Sequence, residues 1–282
     1  MLETGKLLYG VPMQDYLKDP GHGSSTVSYI VPPYTPQEFY ENLKNPFFKG
    51  SNEANLGTFI HSAVGEPDSF DDIYVYEPER FDKRTKAGKE KSLEFKTKAE
   101  GKIVIPFGDR PKIEAAVKAV SEHPEISEIY KSGFAEVTGV AWFSKHLVEG
   151  GLRFKSREDW ITPDGMIWDI KTTSSPVDEK SLAWTIYKYK YHFKAYHHME
   201  VMRRCDLDVK GFGWVFITTH LPVCRVVAVT MSPVMEAAAA RQHQEAVALL
   251  AKCTSENKWP GFYEPIKPIN LPRGIEELST TN

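Results

Sequence analysis

Two aspartates and a lysine lie close together in the stretch RFKSREDWITPDGMIWDIKTT. Asp159 is in its first half, and Asp169 and Lys171 are in its second half, separated by one residue. Magnesium prefers oxygen ligands, and an ammonium group can orient a water or neutralise charge on a phosphoryl oxygen. Two carboxylates, a lysine and a divalent ion therefore form a minimal site for hydrolysing a phosphodiester. An Asp–Lys salt bridge on a surface hairpin explains the same residues equally well.

A β-hairpin must position these side chains. In GMIWDIKTT the residues alternate with the period of a strand, so Lys171 lies on the same side as Asp169. A Pro-Asp-Gly turn joins this strand to the preceding one, GLRFKSREDWIT, and is a strong hairpin signal. Pairing about the turn can bring Asp159 and Asp169 close enough to share a divalent ion.

The rest of the chain predicts an α/β (α+β) fold, with a mixed sheet covered by helices. Helices are predicted at TPQEFYENLK, NEANLGTFIHSAV, RPKIEAAVKAVSEH, from about Ser181 to Cys205, and at SPVMEAAAARQHQEAVALLAK. Further strands are predicted at DIYVYEP, EVTGVAWFS, GFGWVFITT and CRVVAVTM. We predict an N-terminal arm, irregular for about thirty residues, with a short helix over 1–50. A folded domain follows over 51–272, and a tail over 273–282.

Composition excludes several classes of protein. Hydrophobic residues make up 41% and charged residues 26% of the 282 residues, as in ordinary globular proteins. No apolar run approaches the roughly 18 residues of a membrane helix, and no leader pattern opens the chain. The three cysteines are far apart, which favours neither a disulfide framework nor a zinc ribbon. We expect a cytoplasmic protein of a bacterial host cell or of a phage, without membrane contact.

Local rather than global positive charge must serve any nucleic-acid binding, because the net charge is −3. The densest basic segment is FDKRTKAGKEK, where Arg84, Lys86 and Lys89 flank a glycine that would let the chain approach DNA closely. A solvated helix start with mixed charges is the simpler interpretation of this segment taken alone.

The motifs together resemble those of a known family. The hairpin is similar to the catalytic core of the PD-(D/E)XK nucleases, in which an Asp is followed by Asp/Glu-x-Lys. NLGTFIHSAVGEPDSFDD, FDKRTKAGKE, the KSRED…DIKTT block and NKWPGFYEPIKPINLP resemble, more specifically, the RecE-type exonuclease domain of phages and prophages. The resemblance spans about residues 54 to 272. It implies a central mixed β-sheet flanked by helices.

The resemblance also implies roles for individual residues. His61, in GTFIH, matches a histidine that ligates metal in this family. Asp159 and Asp169 match its metal carboxylates, and the backbone carbonyl of Ile170 matches a further ligand. Lys171 matches the catalytic lysine. The implied cofactor is Mg²⁺, with Mn²⁺ as a substitute and one or two ions per site.

Other expected site residues are less firmly matched. Glu136 is placed where relatives carry an additional acidic residue near a second metal. The family's Gln-x-x-x-Tyr helix is represented here by Lys194 and His198, which share a helix face with Tyr191. A lysine there could contact the scissile phosphate as a point charge, although a solvated face on a degraded site explains the substitution too. We expect Arg157 and Tyr191 to contact DNA.

The function implied by the resemblance is digestion of linear double-stranded DNA from its 5′ ends. The 3′ single strands left behind would pass to an annealing partner of the RecT type, and a homo-oligomeric ring would enclose the DNA end. Two alternatives stay open: a RecB-like or structure-specific endonuclease, and a catalytically weak DNA-binding accessory protein that keeps the nuclease fold.

Overall fold

A mixed six-stranded sheet organises the chain. The computed structural model describes residues 1–45, 52–99 and 101–262. Its strands are β1 (Leu7–Leu8), β2 (Tyr74–Tyr76), β3 (Ile103–Ile105), β4 (Phe134–Phe143), β5 (Leu152–Ile161), β6 (Met166–Thr173), β7 (Gly211–Thr218) and β8 (Val226–Thr230). The large sheet has the order β1-β4-β5-β6-β7-β8, while β2 and β3 pair separately. β6 and β7 are parallel, and the other neighbours in the large sheet are antiparallel.

Helices cover both faces of this sheet. They are α1 (Met13–Lys18), α2 (Ser24–Val27), α3 (Pro36–Lys44), α4 (Asn52–Gly65), α5 (Pro67–Ile73), α6 (Lys86–Lys98), α7 (Arg110–Glu122), α8 (Ile126–Ile129), α9 (Glu179–Lys188), α10 (Tyr191–Arg203) and α11 (Pro233–Glu256). On one face, α4 and α7 pack against Ile170 of β6 and Val215 of β7. On the other face, α10 packs against Ile167 and Trp214. The predicted mixed sheet flanked by helices is confirmed.

The connection between the parallel strands positions part of the site. Parallel strands need a crossover, and here it contains α9 and α10. Phe193, Met199 and Met202 of α10 are fully buried against the sheet, which fixes the helix beside β6. The prediction of one long helix from Ser181 to Cys205 is wrong. The chain turns at Lys190, whose backbone is left-handed (φ 54°) and whose Nζ donates to two carbonyls of the N-terminal residues.

The N-terminal residues are part of the folded domain. Leu7 and Leu8 extend the sheet beside β4, and Asp19 forms a buried ion pair with Arg153 of β5. We call residues 1–30 the N-terminal segment. The sequence predicted an irregular arm there because elements of two to six residues are too short to show a period.

Other predictions at the chain ends have different outcomes. The short helix α3 is confirmed, and it begins with a capping box between Thr35 and Glu38. Trp259 stacks on Phe39 and Tyr40, which holds the start of the Pro-rich stretch NKWPGFYEPIKPINLP against this helix. The remainder of that stretch, and the predicted tail 273–282, lie outside the described residues. In the described part of the chain, no helix has the length and apolar character needed to span a membrane.

Candidate functional site

The site begins where β5 and β6 separate. The two strands pair next to the Pro-Asp-Gly turn, as far as Trp160 and Trp168. Beyond that pair, Asp159 precedes Trp160 on β5, and its Oδ2 accepts a hydrogen bond from the backbone N–H of Ile170 on β6 at 2.7 Å. A carboxylate therefore takes the place of a strand carbonyl.

A strained residue on β4 supplies a second carboxylate. Glu136 lies opposite Asp159 in the β4–β5 register, between two residue pairs that the ladder joins. Its φ is 55°, a left-handed conformation that costs an L-residue about 1–2 kcal/mol. Such strain is concentrated at functional sites. The Glu136 carboxylate accepts a hydrogen bond from Arg157 and lies 3.7 Å from Nδ1 of His61.

Helix α4 brings His61 between the two carboxylates. Its neighbour Ile60 is fully buried in the core, so the helix is fixed against the sheet. Nε2 of His61 lies 2.7 Å from Oδ2 of Asp159. Burial alone would lower the pKa of His61, but the charges of Asp159 and Glu136 raise it to about 9. The imidazolium therefore links both carboxylates at neutral pH.

These three side chains fit a divalent cation. One ligand atom from each of His61, Glu136 and Asp159 lies within 4.8 Å of the others. One nitrogen and two carboxylates form a donor set that suits magnesium or manganese better than a thiolate-preferring metal. The predicted ligands His61, Glu136 and Asp159 are thus brought together.

Asp169 and Lys171 lie on the opposite side of β6 from Ile170. Nζ of Lys171 bonds Asp169 and is 3.5 Å from the carbonyl oxygen of Ile170. Burial raises the pKa of Asp169 to about 6. The positive charge of Lys171 lowers this pKa, but the negative charge of Asp159 offsets part of that lowering. Asp169 is outside the cluster of three, so its ligand role, like that of the Ile170 carbonyl, stays a prediction.

Two cavities share Tyr16, Lys171 and Tyr191 among their lining residues, and we call the two together the cleft. The first, of about 870 Å³, lies on the α4 side, and the second, of about 570 Å³, lies on the α10 side. The polar side chains of the first include His61, Glu66, Glu136, Arg157 and Asp159. Those of the second include Ser24, Lys155, Asp169, Lys194 and His198. A substrate in the cleft could therefore contact the candidate metal cluster and the lysines at once.

Helix α10 contributes the two residues that depart from the Gln-x-x-x-Tyr pattern. Burial and the nearby charge of Lys171 lower the pKa of Lys194 to about 8. His198 has one ring nitrogen 2.8 Å from Oε2 of Glu158 and the other 2.9 Å from Oγ of Ser24. Both α10 residues line the cleft, and their catalytic roles stay predictions.

Comparison with known proteins identifies the family of this chain. The profile of the PDDEXK-like domain of unknown function (DUF3799) matches residues 34–269. The chain belongs to this family. No curated protein matches it.

Two solved structures resemble this PDDEXK-like domain. One is a candidate exonuclease from Eubacterium rectale, with a TM-score of 0.56 and 10% sequence identity. The superposition covers 98% of this chain and 100% of the Eubacterium rectale chain. The other is a phage-related exonuclease from Haemophilus somnus 129PT, with a TM-score of 0.31 and 12% sequence identity. The superposition covers 86% of this chain and 99% of the Haemophilus somnus chain. The first shows the shared fold. The PD-(D/E)XK nuclease domain predicted from the sequence is confirmed.

Arg157 and Tyr191 of the PDDEXK-like domain both line the cleft and also contact other side chains of the site. Arg157 pairs with Glu136, and its Nη1 donates to the carbonyl of Val11 at 2.6 Å. Its charge therefore balances a candidate metal ligand. The ring of Tyr191 lies 5.4 Å from Nζ of Lys171 and lines both cavities. Whether either residue touches DNA stays a prediction.

The basic segment begins helix α6 on the surface. Arg84 pairs with Asp82 at 2.9 Å, and Lys86 lies 3.9 Å from Glu90. A Cβ on Gly88 would lie 2.1 Å from the carbonyl oxygen of Asp82, so the helix start itself requires a glycine here, and an approach to DNA stays a prediction. Arg84, Lys86 and Lys89 are also absent from the described residues that line the cleft.

Sequence reasoning missed four residues that line or support the cleft. Tyr16 and Ser24 come from the N-terminal segment, where no period marked them. Glu66 follows α4, and burial together with the charge of Glu136 raises its pKa. Glu158 was visible beside Asp159, but only the position of α10 shows that it bonds His198.

Proposed function

We propose that the chain is a magnesium-dependent DNA exonuclease, active also with manganese, that hydrolyses linear double-stranded DNA. The observation that carries the proposal is the convergence of His61, Glu136 and Asp159 within 4.8 Å, beside the Asp169–Lys171 pair. When bound there, a divalent cation supplies positive charge to a phosphoryl oxygen and lowers the pKa of a water. As the family resemblance implies, the site would hold one or two ions.

The chain's own residues would position the phosphodiester. Lys171, at the junction of the cavities, can orient the attacking water or neutralise a phosphoryl oxygen. Lys194 can contact the scissile phosphate as a second point charge. Arg157 orients the Glu136 carboxylate and balances its charge. His61 must lose its proton before it can act as a metal ligand.

The walls of the cleft favour entry of a DNA end over binding from the side. The N-terminal segment lines the second cavity opposite α10. Lys155 fixes that segment, because its Nζ donates to the carbonyls of Tyr16 at 2.8 Å and Asp19 at 2.6 Å. The net charge of −3 gives little general attraction for a duplex gripped from outside. A narrow site that holds few phosphates closely suits an end.

The family resemblance extends the proposal to polarity and partners. Digestion would proceed from the 5′ end and leave 3′ single strands for recombination. An annealing protein of the RecT type would receive them, and a homo-oligomeric ring would hold the duplex in the cytoplasm of a bacterial host.

One experiment separates the exonuclease from its alternatives. With Mg²⁺, we expect progressive loss of linear duplex while a closed circular plasmid stays intact. A 5′ label should appear early in mononucleotides and a 3′ label late. Rapid nicking of the circle would favour an endonuclease. Inertness toward both substrates, with DNA still bound, would favour an accessory protein.

Paired variants test the metal site itself. Asp159→Asn and Asp169→Asn are nearly isosteric and should each abolish cleavage while the fold is kept. Lys171→Ala should abolish turnover but keep much of the Mn²⁺ binding measured by calorimetry. Asp164→Asn, on the exposed turn of the same hairpin, is the matched control and should keep wild-type cleavage. Unchanged Mn²⁺ binding in both site aspartate variants would refute the assignment.

A further inference from the structure

Three aromatic side chains are exposed on one end of α9. Trp184 is 63%, Tyr187 66% and Tyr189 50% exposed. Leu182 and Ile186 of the same helix are buried, so the helix already has an apolar face toward the core. Large aromatic rings on the outer face gain nothing from folding, and such groups mark binding surfaces. We call Trp184, Tyr187 and Tyr189 the aromatic strip.

Neighbouring rings hold the strip in place. The Trp184 and Tyr187 rings meet edge to face with centroids 6.0 Å apart. Tyr187 is nearly parallel to the buried ring of His192, at 6.3 Å and 10°. Tyr189 stacks on Tyr191 at 5.6 Å and 26°. The rings are therefore fixed before any ligand arrives, which reduces the entropy lost on binding.

Positive charge accompanies the rings. Lys188 is exposed, and its Nζ lies 5.4 Å from the centre of the Tyr189 ring. Lys180, at the start of α9, is also exposed. Interfaces between proteins are depleted in lysine. Stacking rings with adjacent cations are typical of surfaces that bind unpaired nucleotides.

The strip lies near the cleft. Ser175 and Pro176, which follow β6, line a depression of about 520 Å³ together with Trp184, Tyr187 and Tyr189. Ser175 is four residues beyond Lys171, at most about 13 Å along an extended chain. At the other end, Tyr189 stacks on Tyr191, which lines the cleft. A strand leaving the cleft would meet the strip within a few nucleotides.

We propose that the aromatic strip binds single-stranded DNA by stacking unpaired bases beside the cleft. This inference rests on the proposed nuclease function and adds to it a site for the strand left unpaired when its complement is digested. Stacking tolerates any base, so the strip would not depend on sequence. Lys180 and Lys188 accompany the rings, so we expect the salt dependence of about two phosphate contacts.

Oligonucleotide binding without metal tests the strip directly. The probe is a fluorescein-labelled 15-nucleotide oligothymidine in EDTA, measured by anisotropy. Trp184→Ala, Tyr187→Ala and Tyr189→Ala should each weaken binding about tenfold. Trp184→Phe keeps a ring and should keep most of the affinity. Phe107→Ala removes an aromatic that is 42% exposed and lies outside the strip, and should bind like wild type.

A second probe separates stacking from charge. A phosphate chain of the same length without bases loses every stacking contact at once and should bind the wild type more than about tenfold more weakly, and the strip variants should bind it no worse than the wild type does. Wild-type affinity of the alanine variants for oligothymidine would overturn the proposal. So would strip variants that change only the sedimentation of the protein, because the strip would then be an interface between copies.

The results distinguish failure of the proposed nuclease function from failure of the strip. Wild-type protein that binds oligothymidine through the strip but leaves linear duplex uncut with Mg²⁺ would refute the nuclease and keep the strip as a DNA site. Active protein whose strip variants bind oligothymidine normally would refute the strip alone.

Discussion

The ion pair between Asp19 and Arg153 should be among the largest single contributions to stability. The Asp19 carboxylate is fully buried and accepts hydrogen bonds from Arg153 Nε at 3.0 Å and Nη2 at 2.6 Å. It also accepts the backbone N–H groups of Leu2 and Gly21, both at 2.9 Å. Asp19→Ala leaves the guanidinium buried without its partner, a change that costs about 3–5 kcal/mol.

Urea unfolding of the full chain measures this loss in the free energy of unfolding. Adding Arg153→Met to Asp19→Ala should recover part of it, because no unpaired charge then stays buried. Burial alone would raise the pKa of Asp19, but the hydrogen bonds from Arg153 and Gly21 lower it to about 2. The stabilisation is therefore complete above the unfolded pKa of 3.8 and is lost as the pH falls through about 2. A loss below about 1 kcal/mol at pH 7 would refute the reasoning, since that is the range of an exposed pair.

Three further predictions concern cleavage, DNA affinity and acid stability. Lys194→Ala should slow duplex cleavage about 100-fold, whereas Lys194→Gln, which restores the family residue, should retain activity; equal near-wild-type rates would exclude a role at the phosphate. Replacing Arg84, Lys86 and Lys89 with alanine should weaken duplex binding and lower the salt slope by up to about three, and an unchanged slope would leave these residues as a solvated surface. Burial and the charge of a nearby arginine lower the pKa of His243 to about 4, so the stability it contributes is present above pH 6.5 and is lost as the pH falls through about 4. His243→Gln should flatten the fall in unfolding free energy over that window, by at most about 3 kcal/mol, and parallel curves would contradict the assignment.

Much of the fold followed from local patterns. The Pro-Asp-Gly turn predicted the β5–β6 hairpin, and strand alternation placed Lys171 beside Asp169, as found. The Thr-Pro start predicted α3, where Thr35 caps the helix. These features depend on residues a few positions apart, so the sequence displays them directly.

Where local signals were weak, sequence reasoning was wrong. One long helix was predicted across Tyr189 and Lys190 because neither residue is a typical helix breaker. The left-handed backbone of Lys190 is held by hydrogen bonds to the carbonyls of Ser28 and Val31, which are remote in sequence. For Gly88, only the structure shows that the carbonyl of Asp82 packs against it, and its role in DNA approach stays a prediction.

By itself, the sequence determined the nuclease hairpin, the helices and strands around it and the family resemblance that named His61 and Glu136. Only the tertiary structure decided how those residues meet: α4 must pack on the sheet before His61 reaches Asp159, and β4 must adopt a left-handed turn before Glu136 joins them. It also decided that Arg157 pairs with Glu136 and that the N-terminal segment lines the cleft. The physical reason is that turns and periods are set by neighbouring residues, whereas the convergence of charged groups depends on the burial and packing of distant elements, which no local pattern records.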